Sequence, residues 1–175
     1  MGTPARELIE SYAGGVLDGK SVKAWTPGGT STPLLTGEDL DTAMDFESVQ
    51  AAGSLLGTAA MIVMDERDCV VEAVLRMIEF YAHESCGKCT PCREGSSWLV
   101  QTMRRIVDGR GRKSDLETLV QLCQNIAGRT VCAFGDAEVA PIMSTLKYWR
   151  SEYEELIQQA EAAGLIQLEP AAARH

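Results

Sequence analysis

Three thiols fall within seven residues of this chain, Cys86, Cys89 and Cys92, in the segment ESCGKCTPCREG at 84–95. Thiolates are the ligands of soft metals and of iron-sulfur clusters. The Cys-x2-Cys-x2-Cys spacing lets one loop wrap a compact cofactor, with Gly87 free to take the positive φ that a tight wrap demands. Pro91 is expected at the first position of a following helix, which places Cys92 in a first turn whose unpaired N–H groups face an anion. A cubane needs a fourth protein ligand. Cys132, in AGRTVCAFGD at 127–136, can supply it, and the full pattern is then Cys-x2-Cys-x2-Cys-x39-Cys. A bacterial ferredoxin run requires a further cysteine at 96, where Ser96 stands. A four-cysteine zinc site stapling two loops is the competing reading, although zinc more often takes cysteines in Cys-x2-Cys pairs. Spacing favours the cluster and leaves zinc open.

The elements that must position these thiols are helices. From Asp68 onward the apolar spacing is helical, and it predicts four segments near 68–84, 92–108, 114–127 and 136–160. Their apolar faces carry Val71, Val74, Leu75, Ile78 and Tyr81 on the first, then Leu99, Met103, Ile106 and Val107 on the second. Leu116, Leu119, Val120, Cys123 and Ile126 mark the third, and Val139, Ile142, Met143, Leu146, Trp149, Tyr153 and Leu156 the fourth. Short connections favour antiparallel neighbours, hence a four-helix bundle. In that arrangement the first and third connections lie at one end, which brings Cys132 over the Cys86–Cys92 loop.

The part before Asp68 reads as a small α+β unit. Thr3 is expected to cap a helix that starts at Pro4, shows Leu8, Ile9 and Tyr12 on one face and ends at Gly14-Gly15. Val22–Trp25, Pro33–Leu35 and Ala59–Met64 read as strands, 26–32 as a turn, and Asp45 as the cap of a short helix closed by Gly53. One helix over a small mixed sheet, in the manner of a β-grasp domain, fits that order. The expected fold class is therefore α+β, with a β-grasp domain at 1–66, a cluster-binding four-helix bundle at 67–160 and a flexible tail at 161–175.

Composition limits the function. Of 175 residues 45% are hydrophobic and 23% charged, the balance of an ordinary globular chain. A net charge of −9 argues against a nucleic-acid partner. No apolar run reaches the ~18 residues that a membrane span requires, and the first residues show no secretory pattern. A cytoplasmic chain is expected. Six cysteines in that compartment point to metal or redox roles rather than disulfides.

ESCGKCTPCREG followed by GRTVCAFGDA resembles the signature of the family of NADH-binding flavoprotein subunits of NADH:quinone oxidoreductase, respiratory complex I. The resemblance runs from Arg6 to about Glu155, and VKAWTPGGTSTPLLT and LDTAMDFESVQAAGSLLGTAAMIVMDE are similar to the β-grasp domain that precedes the family's cluster bundle. It implies a 4Fe-4S cluster on Cys86, Cys89, Cys92 and Cys132, and an electron relay from reduced FMN towards further clusters and quinone. The family's FMN and NADH sites lie mostly in a glycine-rich N-terminal region that these residues do not include, and no G-x-G-x-x-G occurs here. The resemblance implies partners accordingly: an FMN/NADH-binding module, an iron-sulfur acceptor subunit, and a place peripheral to the inner face of the membrane without insertion into it. The chain alone is expected to be inactive with NADH and to hold no catalytic residue. A diaphorase subunit of an NAD-linked hydrogenase or formate dehydrogenase would carry the same bundle. A reading of another class is a non-enzymatic β-grasp binding module with a structural zinc.

Other polar residues have plainer expectations. Cys69 and Cys123 fall in helical segments and read as core cysteines, since free Cys packs as a small hydrophobe. His83 reads as the cap of the first long helix rather than as a tuner of the cofactor. Lys88 and Arg93 stand open between offsetting the cofactor's charge and being solvated loop charges. Glu152, Glu154 and Glu155 are expected on a solvated face.

Overall fold

The alternation at 22–25 becomes a strand, β1 (Val22–Thr26), at the centre of a three-stranded antiparallel sheet. Its neighbours are β2 (Leu35–Thr36), with Trp25 opposite Leu35, and β3 (Ile62–Asp65), with Ala24 opposite Met64. Successive strand residues face opposite sides. Trp25 and Leu35 thus enter a small core with Ala5, Ile9, Leu40, Met44, Val49 and Leu56, while Ala24 and Met64 join the core of the helices. The computed structural model that shows this describes residues 1–162. The tail expected at 161–175 falls outside the described residues apart from its first two positions.

The sheet is antiparallel throughout rather than mixed. β2 and β3 run the same way, but β1 stands between them, so no parallel pair forms. Both outer strands start later than expected. Pro33 has no N–H to give a ladder, and Ala59, at φ 57°, sits in a turn. One register slip between Val22 and Ala24 leaves Lys23 as the extra residue of a bulge. Bulges re-aim side chains, and here the Lys23 ammonium donates to the Asp68 carbonyl at 2.7 Å and meets the Glu152 carboxylate at 2.8 Å.

The first helix, α1 (Ala5–Glu7), continues into a π-helical turn at Leu8–Tyr12. Thr3 does not cap it. Its carbonyl accepts the Met44 N–H at 2.9 Å, which holds it extended beside 42–44 and leaves Pro4 at the cap position. The wider π turn rotates Tyr12 off the apolar face, so it is 74% exposed while Ile9 is buried. α2 (Phe46–Ala51) follows the expected cap, with the Asp45 carboxylate accepting the Ser48 N–H at 2.7 Å. Two 3-10 turns, Leu17–Gly19 and Gly37–Asp41, are too short to carry a readable period.

Helices α3 (Val70–Glu84), α4 (Thr90–Val107) and α5 (Lys113–Ile126) lie close to where periodicity places them. The expected fourth helix is two, α6 (Phe134–Tyr148) and α7 (Arg150–Ala162), broken at Trp149. The break turns Tyr153, Ile157 and Ala160 into the core, and the buried Tyr153 hydroxyl pairs with Thr145 Oγ1 at 2.7 Å. It also corrects the reading of Glu152 as solvated. That carboxylate accepts the Val70 N–H at 3.2 Å and so caps α3 from another helix. Cys69 stands at the N-cap position of α3 rather than inside it.

α3 packs on α4 and α6, and α5 packs on the same two. The loop from β1 to β2 clips onto these helices, because Thr30 Oγ1 pairs with the Tyr81 hydroxyl at 3.3 Å and the Leu34 N–H donates to Ser144 Oγ at 3.0 Å. Only glycine fits at Gly28 in that loop, where a Cβ would stand 2.6 Å from the Leu56 carbonyl oxygen. Among the described residues no helix is long and apolar enough to cross a membrane.

Candidate metal centre

α3 ends at Glu84, and the chain turns through Ser85 and Gly87, the latter at φ 77°, before α4 begins. Cys89 takes the N-cap position, Thr90 is the first helical residue, and Pro91 is the second rather than the first. Proline remains tolerated there, since N–H groups of the first turn have no helical acceptor. Cys92 therefore lies at the third helical position, and its carbonyl accepts the Ser96 hydroxyl at 2.7 Å. The Arg93 guanidinium donates to the Gly87 carbonyl at 2.8 Å and holds the loop against the helix.

The second loop leaves α5 through Gly128, at φ 66°, whose N–H donates to the Asp136 carboxylate at 2.7 Å. Thr130 Oγ1 donates to the Cys132 carbonyl at 2.8 Å, and α6 starts two residues later. The loops touch directly. The Val131 N–H donates to Cys89 Sγ at 3.4 Å.

Cys86, Cys89, Cys92 and Cys132 line one cavity of about 130 Å³, together with Thr130 and Phe134. Cys92 is buried, Cys89 partly so, and Cys86 and Cys132 are exposed. All four thiols singled out in the sequence are brought together. Larger clefts of about 550 and 590 Å³ flank β3, and neither contains any of these four. Cys69 lines one of those clefts, and Cys123 is sealed in α5, where burial pushes its thiol up to about 12.

The cage has the marks of an anion site. Neither α4 nor α6 has a side chain capping its N-terminus, and both helices start at the cavity wall, so their free N–H groups and positive dipole ends meet there. The four thiols line one space. A single zinc about 2.3 Å from each sulfur needs sulfurs within about 4 Å of one another, yet no three described His, Cys, Asp or Glu side chains converge closely enough to hold one ion. The donor set and the cavity fit a larger thiolate-bound, anionic group.

Glu138 is the site residue that sequence reasoning missed. It is fully buried in α6, with Oε2 3.8 Å from Cys92 Sγ and Oε1 without a partner. Burial pushes its carboxyl up to about 7, and the hydrogen bond with Cys92 opposes this only in part. The Cys92 thiol is itself raised, first by burial, while the Ser85 hydroxyl 3.2 Å away pulls it down. A signal was present. Glu138 shares the inward stripe of Gly135, Ile142 and Thr145, and a carboxyl on such a stripe is uncommon unless paired.

His83 is exposed and pairs with its neighbour Glu84 at 2.8 Å, so it caps nothing. Lys88 is exposed at the cavity wall, whereas Arg93 is occupied by Gly87 and by Glu94, the latter at 2.8 Å.

Residues 72–156 match the family model described as the NADH-ubiquinone oxidoreductase-F iron-sulfur binding region. The chain is 55% identical over 157 residues to the NADH-quinone oxidoreductase F-subunit of Streptomyces coelicolor, covering 90% of this chain and 35% of that protein. For the F-subunit of Mycobacterium tuberculosis strain H37Rv the identity is 53% over 153 residues, 87% of this chain and 34% of that one. The chain thus spans about a third of the length of these curated relatives. Among solved structures, a chain of an NAD+-reducing NiFe-hydrogenase in the air-oxidized state superposes with a TM-score of 0.78 at 27% identity. That match covers 97% of this chain and 28% of the hydrogenase chain.

Proposed function

We propose that this chain, whose residues 72–156 match the NADH-ubiquinone oxidoreductase-F iron-sulfur binding region, relays electrons through one 4Fe-4S cluster held by Cys86, Cys89, Cys92 and Cys132. The observation that carries this reading is the single cavity lined by four thiols from two loops 39 residues apart in sequence. When bound, the cluster supplies one-electron storage and release without proton or group transfer.

The protein's own part is positional. Cys92 and Phe134 insulate the inner side of the cage, and the exposed Cys86 and Cys132 leave an outer edge where a donor or acceptor can approach. The N-termini of α4 and α6 offset the cluster's negative charge. We read the fold as a β-grasp unit, 1–66, on a four-helix bundle, 67–160, whose last helix is broken and whose sheet shares its inner face with the bundle core.

The likeness to NADH-quinone oxidoreductase F-subunits supports a wider setting. In a complex I-like assembly, electrons come from FMN reduced by NADH on an FMN/NADH-binding module, pass through this cluster to an iron-sulfur acceptor subunit, and continue to quinone. The assembly sits at the inner face of the membrane. The hydrogenase setting is the second reading, and the higher identity to the quinone oxidoreductase relatives, 55% against 27%, favours the first. Metal analysis of anaerobically purified protein is the test. About four iron and four sulfide per chain are expected for a 4Fe-4S cubane; zinc without sulfide would overturn the reading.

A further inference from the structure

Cys92 is the one buried thiol of the four. Two side chains reach its sulfur, Ser85 Oγ at 3.2 Å and Glu138 Oε2 at 3.8 Å. We propose that Ser85 donates a hydrogen bond to the Cys92 thiolate and thereby holds the reduction potential of the cluster above what the four thiolates alone would give. This rests on the reading of the cage as a 4Fe-4S site.

The direction of the bond follows from what else the donor does. Ser85 Oγ accepts the Gly87 N–H at 3.4 Å, so its own proton is left for sulfur. Ligation removes the Cys92 proton, and the bond can then run only from the Ser85 O–H to the thiolate. Cys89 receives a backbone N–H instead, from Val131 at 3.4 Å, which no side-chain substitution removes.

A hydrogen bond to a ligand sulfur draws charge from it and favours the more negative, reduced cluster. Ser85 acts through Cys92, so it is a positioning residue whose effect is read as a potential. The experiment is a redox titration of the full cluster-loaded chain at one pH, followed by the paramagnetic signal of the reduced state. Ser85→Ala should lower the reduced-to-oxidised ratio at a fixed ambient potential by about threefold to tenfold, tenfold being about 59 mV for one electron. Ser85→Thr keeps a donor and should stay within about twofold of the parent on the same scale.

An unchanged potential in Ser85→Ala, with iron and sulfide intact, would overturn the proposal. If Ser85→Ala takes up no cluster, Ser85→Val against Ser85→Thr makes the same comparison of a side chain without and with a hydroxyl, and equal potentials in that pair would overturn it. Absence of iron and sulfide from the unaltered chain would instead overturn the cluster reading beneath it.

Discussion

The backbone N–H of Val131 points at the sulfur of Cys89, 3.4 Å away across two loops. The pair lies 42 residues apart in sequence, so it records how the α3–α4 and α5–α6 connections meet at one end of the helices. It also makes Cys132, one residue on, a neighbour of the three-cysteine loop.

The ligand set is tested on that neighbourhood. Cys86→Ser, Cys89→Ser, Cys92→Ser and Cys132→Ser should each abolish the brown chromophore and the reduced-state paramagnetic signal. Cys69→Ser and Cys123→Ser should keep both, because Cys69 stands at the start of α3 and Cys123 is sealed in the core. A Cys132→Ser variant with a normal cubane signal would remove the fourth ligand from the scheme.

Activity should divide along the fold. The double glycines lie after the π turn and between β1 and β2, never between a strand and a helix as phosphate binding requires. The cluster-loaded 175-residue chain should therefore bind no FMN and show no turnover with NADH and an artificial acceptor, while dithionite reduces its cluster. Stoichiometric flavin on the purified chain would contradict this.

Legibility in the sequence followed periodicity and spacing. Leu99, Met103 and Ile106 repeat at helical intervals, so α4 and its buried face could be read, and the cysteine spacing gave the cage before any contact was known. What escaped depends on tertiary context. Nothing local says that the helix after Cys132 breaks at Trp149, because the break is favoured by Tyr153 reaching Thr145 and Glu152 reaching Val70. Thr3 lost its expected cap role to pairing with Met44, a partner 41 residues away. Glu138 escaped because carboxyls on helices ordinarily face solvent, and only tertiary packing buries this one.

Glu152 should be worth more than a surface carboxylate. It caps the first N–H of α3 and pairs with Lys23, and both side chains are only 20% exposed. Loss of a helix cap costs ~1 kcal/mol, and loss of a charged hydrogen bond at a half-buried site adds to it. Glu152→Ala is expected to lower stability by roughly 1–3 kcal/mol, seen as a lower denaturant midpoint at unchanged slope. Glu155→Ala, at an exposed position one turn on, serves as the control and should change little.

Acid should weaken the fold through specific carboxyls. The Arg67 guanidinium, followed by the Arg67 N–H, holds the Asp65 carboxyl below its ordinary value, and Arg104 does the same for Glu79. A carboxyl whose folded pKa is depressed contributes stability that is complete above its unfolded pKa, near 4, and is lost as pH falls through the folded value. Stability should therefore drop below about pH 4, and more shallowly in Asp65→Asn, as read by denaturant midpoints across that range. An equal acid slope in that variant would exclude the Asp65–Arg67 pair as a source.

Cluster loss should loosen the molecule unevenly, and the contacts say where. A cofactor joining two loops contributes folding free energy, since the unfolded chain cannot hold the assembled site. Its removal should raise amide hydrogen exchange most in 84–95 and 128–136 and at the adjoining ends of α3, α4 and α6. The effect should not stop there. Phe134, at the cage wall, stacks edge-on against Tyr81 with centroids 5.1 Å apart, and the Tyr81 hydroxyl pairs with Thr30 in the loop before β2. Residues 27–34 should therefore lose part of their protection after anaerobic chelation. β1 and β3, held by their own ladder and by Trp25 in the smaller core, should change little. Uniform protection throughout after cluster loss would mean that apolar packing alone keeps the bundle closed. Unchanged protection confined to 27–34 would mean that the Phe134–Tyr81–Thr30 chain carries no coupling between the cage and the sheet.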